Sequence, residues 1–147
     1  MLVRVALIVV CLLFAATVAE ADQCTVSTTS VNFGSYNVYD TAHKDSTGTI
    51  TLRCNGGASN VKVEIGRGGS PWIANRFMNQ GLELLFYNLY QNASRTTIWG
   101  DDSASDYHVG NPPNNKDVTL TVYGRITAAQ DVSAGSYSDS VTVTVQY

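Results

Sequence analysis

The amino-acid sequence predicts an all-β domain, a sandwich of two sheets, on three observations. Short segments of alternating apolar and polar residues recur along the chain, and turn-forming residues separate them. No stretch of useful length has the apolar period of a helix. The sequence also stops within an alternating segment, which predicts a half-buried antiparallel strand that needs a neighbour on its free side. The apolar face of that segment consists of Val141, Val143, Val145 and Tyr147.

The first 21 residues have the pattern of a cleaved secretion signal. Arg4 supplies a positive charge, an apolar run extends from residue 5 to residue 18, and Ala19-Glu20-Ala21 fits a small-x-small cleavage site. A membrane anchor is the alternative, but the run is shorter than the roughly 20 residues of a spanning helix. We therefore expect an exported mature domain over residues 22–147, with no membrane span.

The first predicted strand begins at Cys24 and Val26, and each later strand follows a turn signal. Val31 and Phe33 continue the first strand in the opposite phase, which predicts a bulge or break near residues 28–30. Residues 49–54 alternate strictly, and Asn55-Gly56-Gly57 then turns the chain. The next inward face consists of Val61, Val63 and Ile65.

The second half of the chain is predicted to contain one central strand, one long loop and two further alternating strands. Residues 82–90 are apolar on both faces, which is typical of a strand covered on both sides. The polar stretch 92–116 is interpreted as a loop-rich connection. Residues 118–126 alternate again, and a turn region over 128–135 leads into the terminal strand. About six strands result, one fewer than the seven of a minimal immunoglobulin-like sandwich.

The composition argues against a nucleic-acid partner, and the two cysteines of the mature chain suggest a disulfide. Charged residues make up 14% of the chain, the net charge is −3, and no run of one sign occurs, whereas phosphate-binding surfaces cluster Lys and Arg. Cys24 and Cys54 would pair in an oxidising compartment. Two free thiols or a metal site are the alternatives, although a metal site would require further ligands at short spacing.

The residues that carry chemistry form no catalytic, cofactor or metal pattern. His43 and His108 are isolated from one another and from clustered partners. The acidic residues near position 101 lack the spacing of a calcium loop. Aromatic residues are interpreted chiefly as packing rather than as a sugar-binding platform. We expect no enzyme and no cofactor.

Several segments, taken in order, resemble the spore coat protein U domain family, which includes subunits of archaic chaperone–usher pili. Each is weak alone, and their joint order and spacing carry the resemblance. They are Cys24-Thr-Val26, Phe33-Gly34-Ser-Tyr36, Gly48-Thr-Ile-Thr-Leu-Arg-Cys54, Arg76-Phe-Met78, Leu85-Phe-Tyr-Asn-Leu-Tyr90, Trp99-Gly100, Leu120-Thr-Val-Tyr-Gly-Arg-Ile126, Gly135-Ser-Tyr-Ser-Asp139 and Val141-Thr-Val-Thr-Val145.

The resemblance implies an incomplete immunoglobulin-like sandwich that lacks its last strand. A periplasmic chaperone, and later a neighbouring subunit delivered through an outer-membrane usher, would supply that strand by β-augmentation. The chain would then be a structural subunit of a pilus, fibre or coat on a bacterial cell surface. The resemblance further implies a Cys24–Cys54 disulfide and a groove lined on one side by the apolar face of the terminal strand.

One departure from the family pattern affects the expected role. Rod-forming subunits carry an alternating apolar extension before the first cysteine, whereas only Asp22 and Gln23 would precede Cys24 here. We therefore expect a strand acceptor only, such as a tip or terminal subunit. The alternatives are a self-sufficient secreted coat protein and an extracellular adhesin or binding module. A small hydrolase is a third alternative that rests only on scattered acidic residues and histidines.

Overall fold

The computed structural model describes residues 23–102 and 105–147, so the predicted secretion signal lies outside the described residues. Within those ranges the chain forms eight strands and one 3-10 turn, at Ile73–Asn75. The strands are β1 (Gln23–Thr29), β2 (Lys44–Asn55), β3 (Val61–Ile65), β4 (Arg76–Gln80), β5 (Glu83–Tyr90), β6 (Tyr107–Gly110), β7 (Asp117–Ile126) and β8 (Val143–Gln146).

The strands form two antiparallel sheets, which confirms the predicted all-β sandwich. One sheet has five strands in the order β1-β2-β7-β5-β4, and the other has three in the order β6-β3-β8. No helix in the described ranges is long and apolar enough to cross a membrane.

The hydrophobic core lies between the inner faces of the sheets, where the period-two pattern places the apolar residues. Burial of each aliphatic side chain stabilises the fold by about 1.5–3 kcal/mol. The buried aliphatic residues of the central strands are Ile50 and Leu52 of β2, Val61, Val63 and Ile65 of β3, Leu85 and Leu89 of β5, and Val122 and Ile126 of β7.

The segment after β1, residues 30–38, lies across the inner face of the five-stranded sheet without joining it as a strand. Val31 fills the space above Gly48, and Val31 and Phe33 together fill the space above Gly124, because neither glycine has a side chain. At the far end, the Tyr36 hydroxyl donates to the carbonyl of Thr127 at 3.2 Å. The two glycines therefore let this segment form one side of an apolar cleft.

The predicted break after the first strand is confirmed, because β1 ends at Thr29. The predicted continuation of that strand through Val31 and Phe33 is wrong, because residues 30–38 form no strand. The predicted strand 49–54 is confirmed but too short, because β2 begins at Lys44. The polar residues 44–48 pair with β7, which the local pattern did not indicate.

The prediction that residues 82–90 are covered on both sides is wrong. Leu85, Tyr87 and Leu89 are buried, whereas Leu84 and Phe86 on the outer face are 39% and 44% exposed. Within the described ranges, that face is covered only near the end of the strand, where Asn88 is buried and donates to the carbonyls of Ile73 and Ala74 in the 3-10 turn. The predicted count of about six strands is also wrong, since β4 and β6 went unrecognised. Strand β6 lies within the stretch that was interpreted as a loop.

We predict that Gly124→Ala destabilises the domain by about 1–3 kcal/mol through overpacking. A Cβ atom at this position would lie 2.6 Å from Val31 Cγ1 and 2.7 Å from Phe33 Cζ. Urea unfolding of the protein, in the form recovered from a bacterial periplasm, measures the change. Adding Phe33→Leu to Gly124→Ala should recover part of the loss, and equal stability of wild type and Gly124→Ala would contradict the packing described.

Candidate strand-binding cleft

A cleft opens between the 30–38 segment and residues 132–143, which lead into β8. It has two adjoining compartments, with cavity volumes of about 300 Å³ and 860 Å³. Both are lined by Val31, Phe33, Met78 and Asp139, so the compartments form one elongated cleft.

The floor of the cleft is apolar and comes mainly from the inner face of the five-stranded sheet, with Ile65 of β3 contributed by the other sheet. The larger compartment has a more polar rim, formed by serine, asparagine and tyrosine residues of the two flanking segments. Its floor residues are Met78, Leu85 and Ile126. The floor residues of the smaller compartment are Ile50, Ile65, Met78, Tyr87, Leu89 and Val122.

Strand β8 borders this cleft and presents an unpaired backbone edge within the described structure. It pairs with β3 on one side and has no strand on the other. The Gly66 amide donates to the Thr142 carbonyl at 2.8 Å, and this pair lies in register with Ile65↔Val143. Because hydrogen-bonded and non-hydrogen-bonded pairs alternate in an antiparallel ladder, the N–H and C=O groups of Val143 and Val145 point away from β3.

The Asp139 carboxylate fixes the chain at the junction of the two compartments. Its Oδ1 accepts hydrogen bonds from the amides of Gly69 at 3.0 Å and Ser140 at 2.8 Å. Its Oδ2 accepts a hydrogen bond from the Tyr87 hydroxyl at 2.7 Å. Burial, reinforced by the Asp139 hydrogen bond, raises the pKa of Tyr87 above its ordinary value, so the phenol stays a donor.

A close approach in the loop after β3 makes this arrangement possible. Gly68 has a φ of +64°, and a Cβ atom there would overlap the Asp139 carboxylate. Glycine is therefore required at this position both for the backbone conformation and for space. The segment that contains Asp139 also contacts the five-stranded sheet. The backbone groups of Ser138 and of Asn79 in β4 exchange hydrogen bonds of 3.0 Å and 3.3 Å. The segment before β8 is thus held to both sheets.

A buried polar cluster beneath the cleft was not predicted from the sequence. Arg76 is fully buried, and its guanidinium donates to the carbonyls of Gly66, Ile65 and Trp99 and to Asn88 Oδ1 at 2.6–2.9 Å. Burial lowers the pKa of Arg76, but an arginine remains charged. The sequence offered two signals: Arg76 directly precedes the apolar pair Phe77-Met78, and these three residues are one of the segments that resemble the family.

The predicted site residues are placed as follows. Cys24 and Cys54 form a disulfide between paired positions of β1 and β2, which confirms the pairing. Val141 and Val143 line the smaller compartment, and Val145 packs against the core. Tyr147 is 54% exposed and is not among the cleft-lining residues. The groove role of these four residues stays a prediction.

His43 is not among the residues that line the cleft. His43 accepts a hydrogen bond from the Ala128 amide at 3.1 Å, and the side chain of His108 lies outside the described part of the chain. In the described ranges, no three His, Cys, Asp or Glu side chains lie together as metal ligands would. Among the aromatic residues, Trp99 is fully buried, whereas Trp72 is 67% exposed.

The Spore Coat Protein U domain model matches residues 10–144. The chain belongs to the spore coat protein U domain family. No curated protein matches it. Among solved structures, it is similar to a chain in the crystal structure of the CsuC–CsuE chaperone–tip adhesion subunit pre-assembly complex, from archaic chaperone–usher Csu pili of Acinetobacter baumannii.

That similarity has a TM-score of 0.63 at 23% sequence identity, and it supports the shared fold. The match covers 86% of this chain but only 40% of the Csu-pilus chain. The chain therefore corresponds to less than half of the protein that it resembles.

We predict that Asp139→Ala destabilises the domain by about 2 kcal/mol or more, because it removes a carboxylate that accepts three hydrogen bonds. Hydrogen exchange at the Gly69 amide should also accelerate, since that amide loses its acceptor. Asp131→Ala is the matched control, because it removes the same charge from an exposed position nearby. Equal urea midpoints for the two variants would show that Asp139 does not hold the cleft.

Proposed function

We propose that this spore coat protein U domain is an exported structural subunit of a bacterial cell-surface pilus, fibre or coat. In this proposal it is assembled by a chaperone–usher pathway and accepts a donated strand in the cleft. Its partners are a periplasmic chaperone, an outer-membrane usher and neighbouring subunits. Its role is architectural, with no catalytic step.

One observation carries the proposal: an apolar cleft lies alongside the open backbone edge of β8. The outward N–H and C=O groups of Val143 and Val145 match the hydrogen-bonding pattern of an added antiparallel or parallel strand. The cleft floor offers apolar contacts to alternate side chains of the same strand. Family membership supports the proposal, as does the resemblance to a chain crystallised in a chaperone–tip adhesion subunit complex.

The compartments specify the kind of strand that fits. A strand beside β8 would direct every second side chain toward the floor. The residues over the smaller compartment should be aliphatic, because Ile50, Leu89 and Val122 surround it. The larger compartment has hydroxyl and amide groups at its rim and accommodates a bulkier or partly polar side chain.

We predict that the mature chain, expressed in a bacterial periplasm with its cognate chaperone, is recovered as a one-to-one complex. Without the chaperone it should aggregate or be degraded, because the open cleft exposes apolar surface. Native mass and thermal melting of the recovered material distinguish a one-to-one complex from aggregates and from a stable monomer. A soluble monomer that melts cooperatively without a chaperone would mean that the sandwich closes by itself, and the proposal would fail.

Val143→Pro tests the edge of β8 directly within the same experiment. Proline removes an N–H that points away from β3, so the β3–β8 hydrogen bonds are kept while the strand acceptor is damaged. We expect a lower yield of the chaperone complex. Thr144→Lys is the control, because its side chain is exposed and its backbone faces β3.

A peptide with alternating aliphatic residues provides an independent test of the cleft. At a free peptide concentration about 100 times its dissociation constant, it should raise the free energy of unfolding of the wild-type protein by about 2.7 kcal/mol.

A second candidate function is adhesion, which an exposed apolar hairpin favours. Strands β4 and β5 are joined by the two-residue turn Gly81-Leu82, in which Gly81 has the positive φ that such turns require. Leu82 at the tip is fully exposed, and Leu84 and Phe86 beside it are partly exposed. Several exposed apolar residues close together are typical of an interaction site.

We predict that Leu82→Glu weakens adsorption of the assembled protein to an apolar surface while leaving its unfolding midpoint within about 0.5 kcal/mol of wild type. Tyr39→Glu, which places a charge at an exposed apolar position outside this hairpin, serves as the control for net charge. Retention of both variants on a hydrophobic matrix, at the same ionic strength as wild type, measures the effect. Identical retention of all three proteins would remove the support for adhesion through the hairpin.

A further inference from the structure

Strand β1 has a second open backbone edge, separate from the cleft. It pairs with β2 on one side and has no partner strand on the other within the described structure. The Cα atoms of Cys24 and Cys54 are 4.0 Å apart, which is the short spacing of a non-hydrogen-bonded pair. Because the pairs alternate, the N–H and C=O groups of Cys24, Val26 and Thr28 point outward.

Hydrogen bonds at the odd-numbered positions agree with this assignment. The Gln23 amide donates to Asn55 Oδ1 at 3.1 Å, which directs it toward β2. On the β2 side, the Thr49 amide donates to Thr29 Oγ1 at 2.9 Å, which directs it toward β1. The even-numbered residues of β1 therefore offer three N–H donors and three C=O acceptors to a partner.

Natural sheet edges are usually blunted by charge, proline, a bulge or extreme shortness. Strand β1 has seven residues, Gln23 to Thr29, and none of them is charged or proline. Its register with β2 is continuous, so no bulge twists the edge away. The disulfide to Cys54 holds the strand in its sheet. The edge is thus unbroken, fixed and open within the described structure.

We propose that this edge pairs with the same edge of a second copy of the chain, antiparallel and centred on Val26. In that register Cys24 faces Thr28 of the other copy and Val26 faces its own equivalent. The outward groups then form three hydrogen-bonded pairs, and the two five-stranded sheets become one continuous sheet across a two-fold axis.

Two properties of β1 favour a second copy over another partner. Since the strand carries no charge, self-pairing opposes no like charges, which would destabilise a cross-strand pair. Val26 is 42% exposed at the midpoint of the strand, and the two-fold axis would bring both Val26 side chains into contact. A single strand pair buries less surface than a standard interface, so the contact is weak between isolated subunits and is reinforced when many copies are held in one assembly.

The test uses the full mature chain in the form recovered from the periplasm, with the chaperone if they co-purify. Sedimentation equilibrium should show an average mass that rises with protein concentration. The limit should be twice the mass of the single chain, or twice the mass of its one-to-one complex with the chaperone where the two co-purify. Val26→Lys should raise the apparent dissociation constant at least about tenfold, because two lysines would then be directly opposed. Ser27→Lys is the matched control, because it opposes Thr25 of the other copy rather than a second lysine.

Hydrogen exchange provides a readout that a purely structural role of Val26 would not change. Association should slow exchange at the amides of Cys24, Val26 and Thr28, while Thr25 and Ser27 are already bonded to β2 and change little. A mass that stays constant at every concentration, or no added protection at the even-numbered amides, would overturn the proposal. Because recovery with or without the chaperone is scored separately, failure here is distinguishable from failure of the strand-acceptor role.

Discussion

The position of β8, and with it the cleft, depends on the buried guanidinium of Arg76. From β4 in the five-stranded sheet it donates to the carbonyls of Ile65 and Gly66, at the end of β3 in the other sheet. The same stretch pairs with Val143 and Thr142 of the terminal segment. Charge-assisted hydrogen bonds are about twice as strong as neutral ones, and a buried acceptor left without its donor costs about 1–3 kcal/mol. One cation therefore fixes both the spacing of the sheets and the strand that borders the cleft.

Neutral polar groups complete this connection and extend it to the surface. Asn88 accepts from Arg76 and donates to the carbonyls of Ile73 and Ala74, so the turn before β4 is held by the same cluster. The Trp99 indole donates to the carbonyl of Val63 at 2.9 Å. Beyond Gly66, the loop continues to Gly69, whose amide reaches Asp139 in the cleft. A domain with an apolar cleft on one side thus keeps its shape through directional hydrogen bonds as well as through apolar burial.

Local patterns predicted the elements whose burial alternates, and they failed where long-range contacts decide. Ile50 and Leu52, and likewise Val61 and Val63, alternate with polar residues, so β2 and β3 were recognisable. Arg76 has the opposite signature, because a charged residue predicts exposure, and only its distant acceptors make burial possible. For Leu84 and Phe86 the error was the opposite one: their apolar character predicted burial, but both are partly exposed. An apolar residue type does not show whether another layer of the protein covers it. The inward face of β8 was recognisable from Val143 and Val145. The direction of its free backbone groups was not, because that follows from pairing with β3, far away in sequence.

The two open edges of the sandwich differ in what they can select. The edge of β8 lies beside an apolar floor, so an added strand there would be selected by its side chains as well as by its backbone. The edge of β1 offers backbone hydrogen bonds and one half-exposed valine, Val26, so it discriminates by geometry and charge and binds weakly. A strong, selective edge suits the contact that completes the subunit. A weak, self-complementary edge suits lateral contacts, which become effective only when assembly has raised the local concentration of subunits.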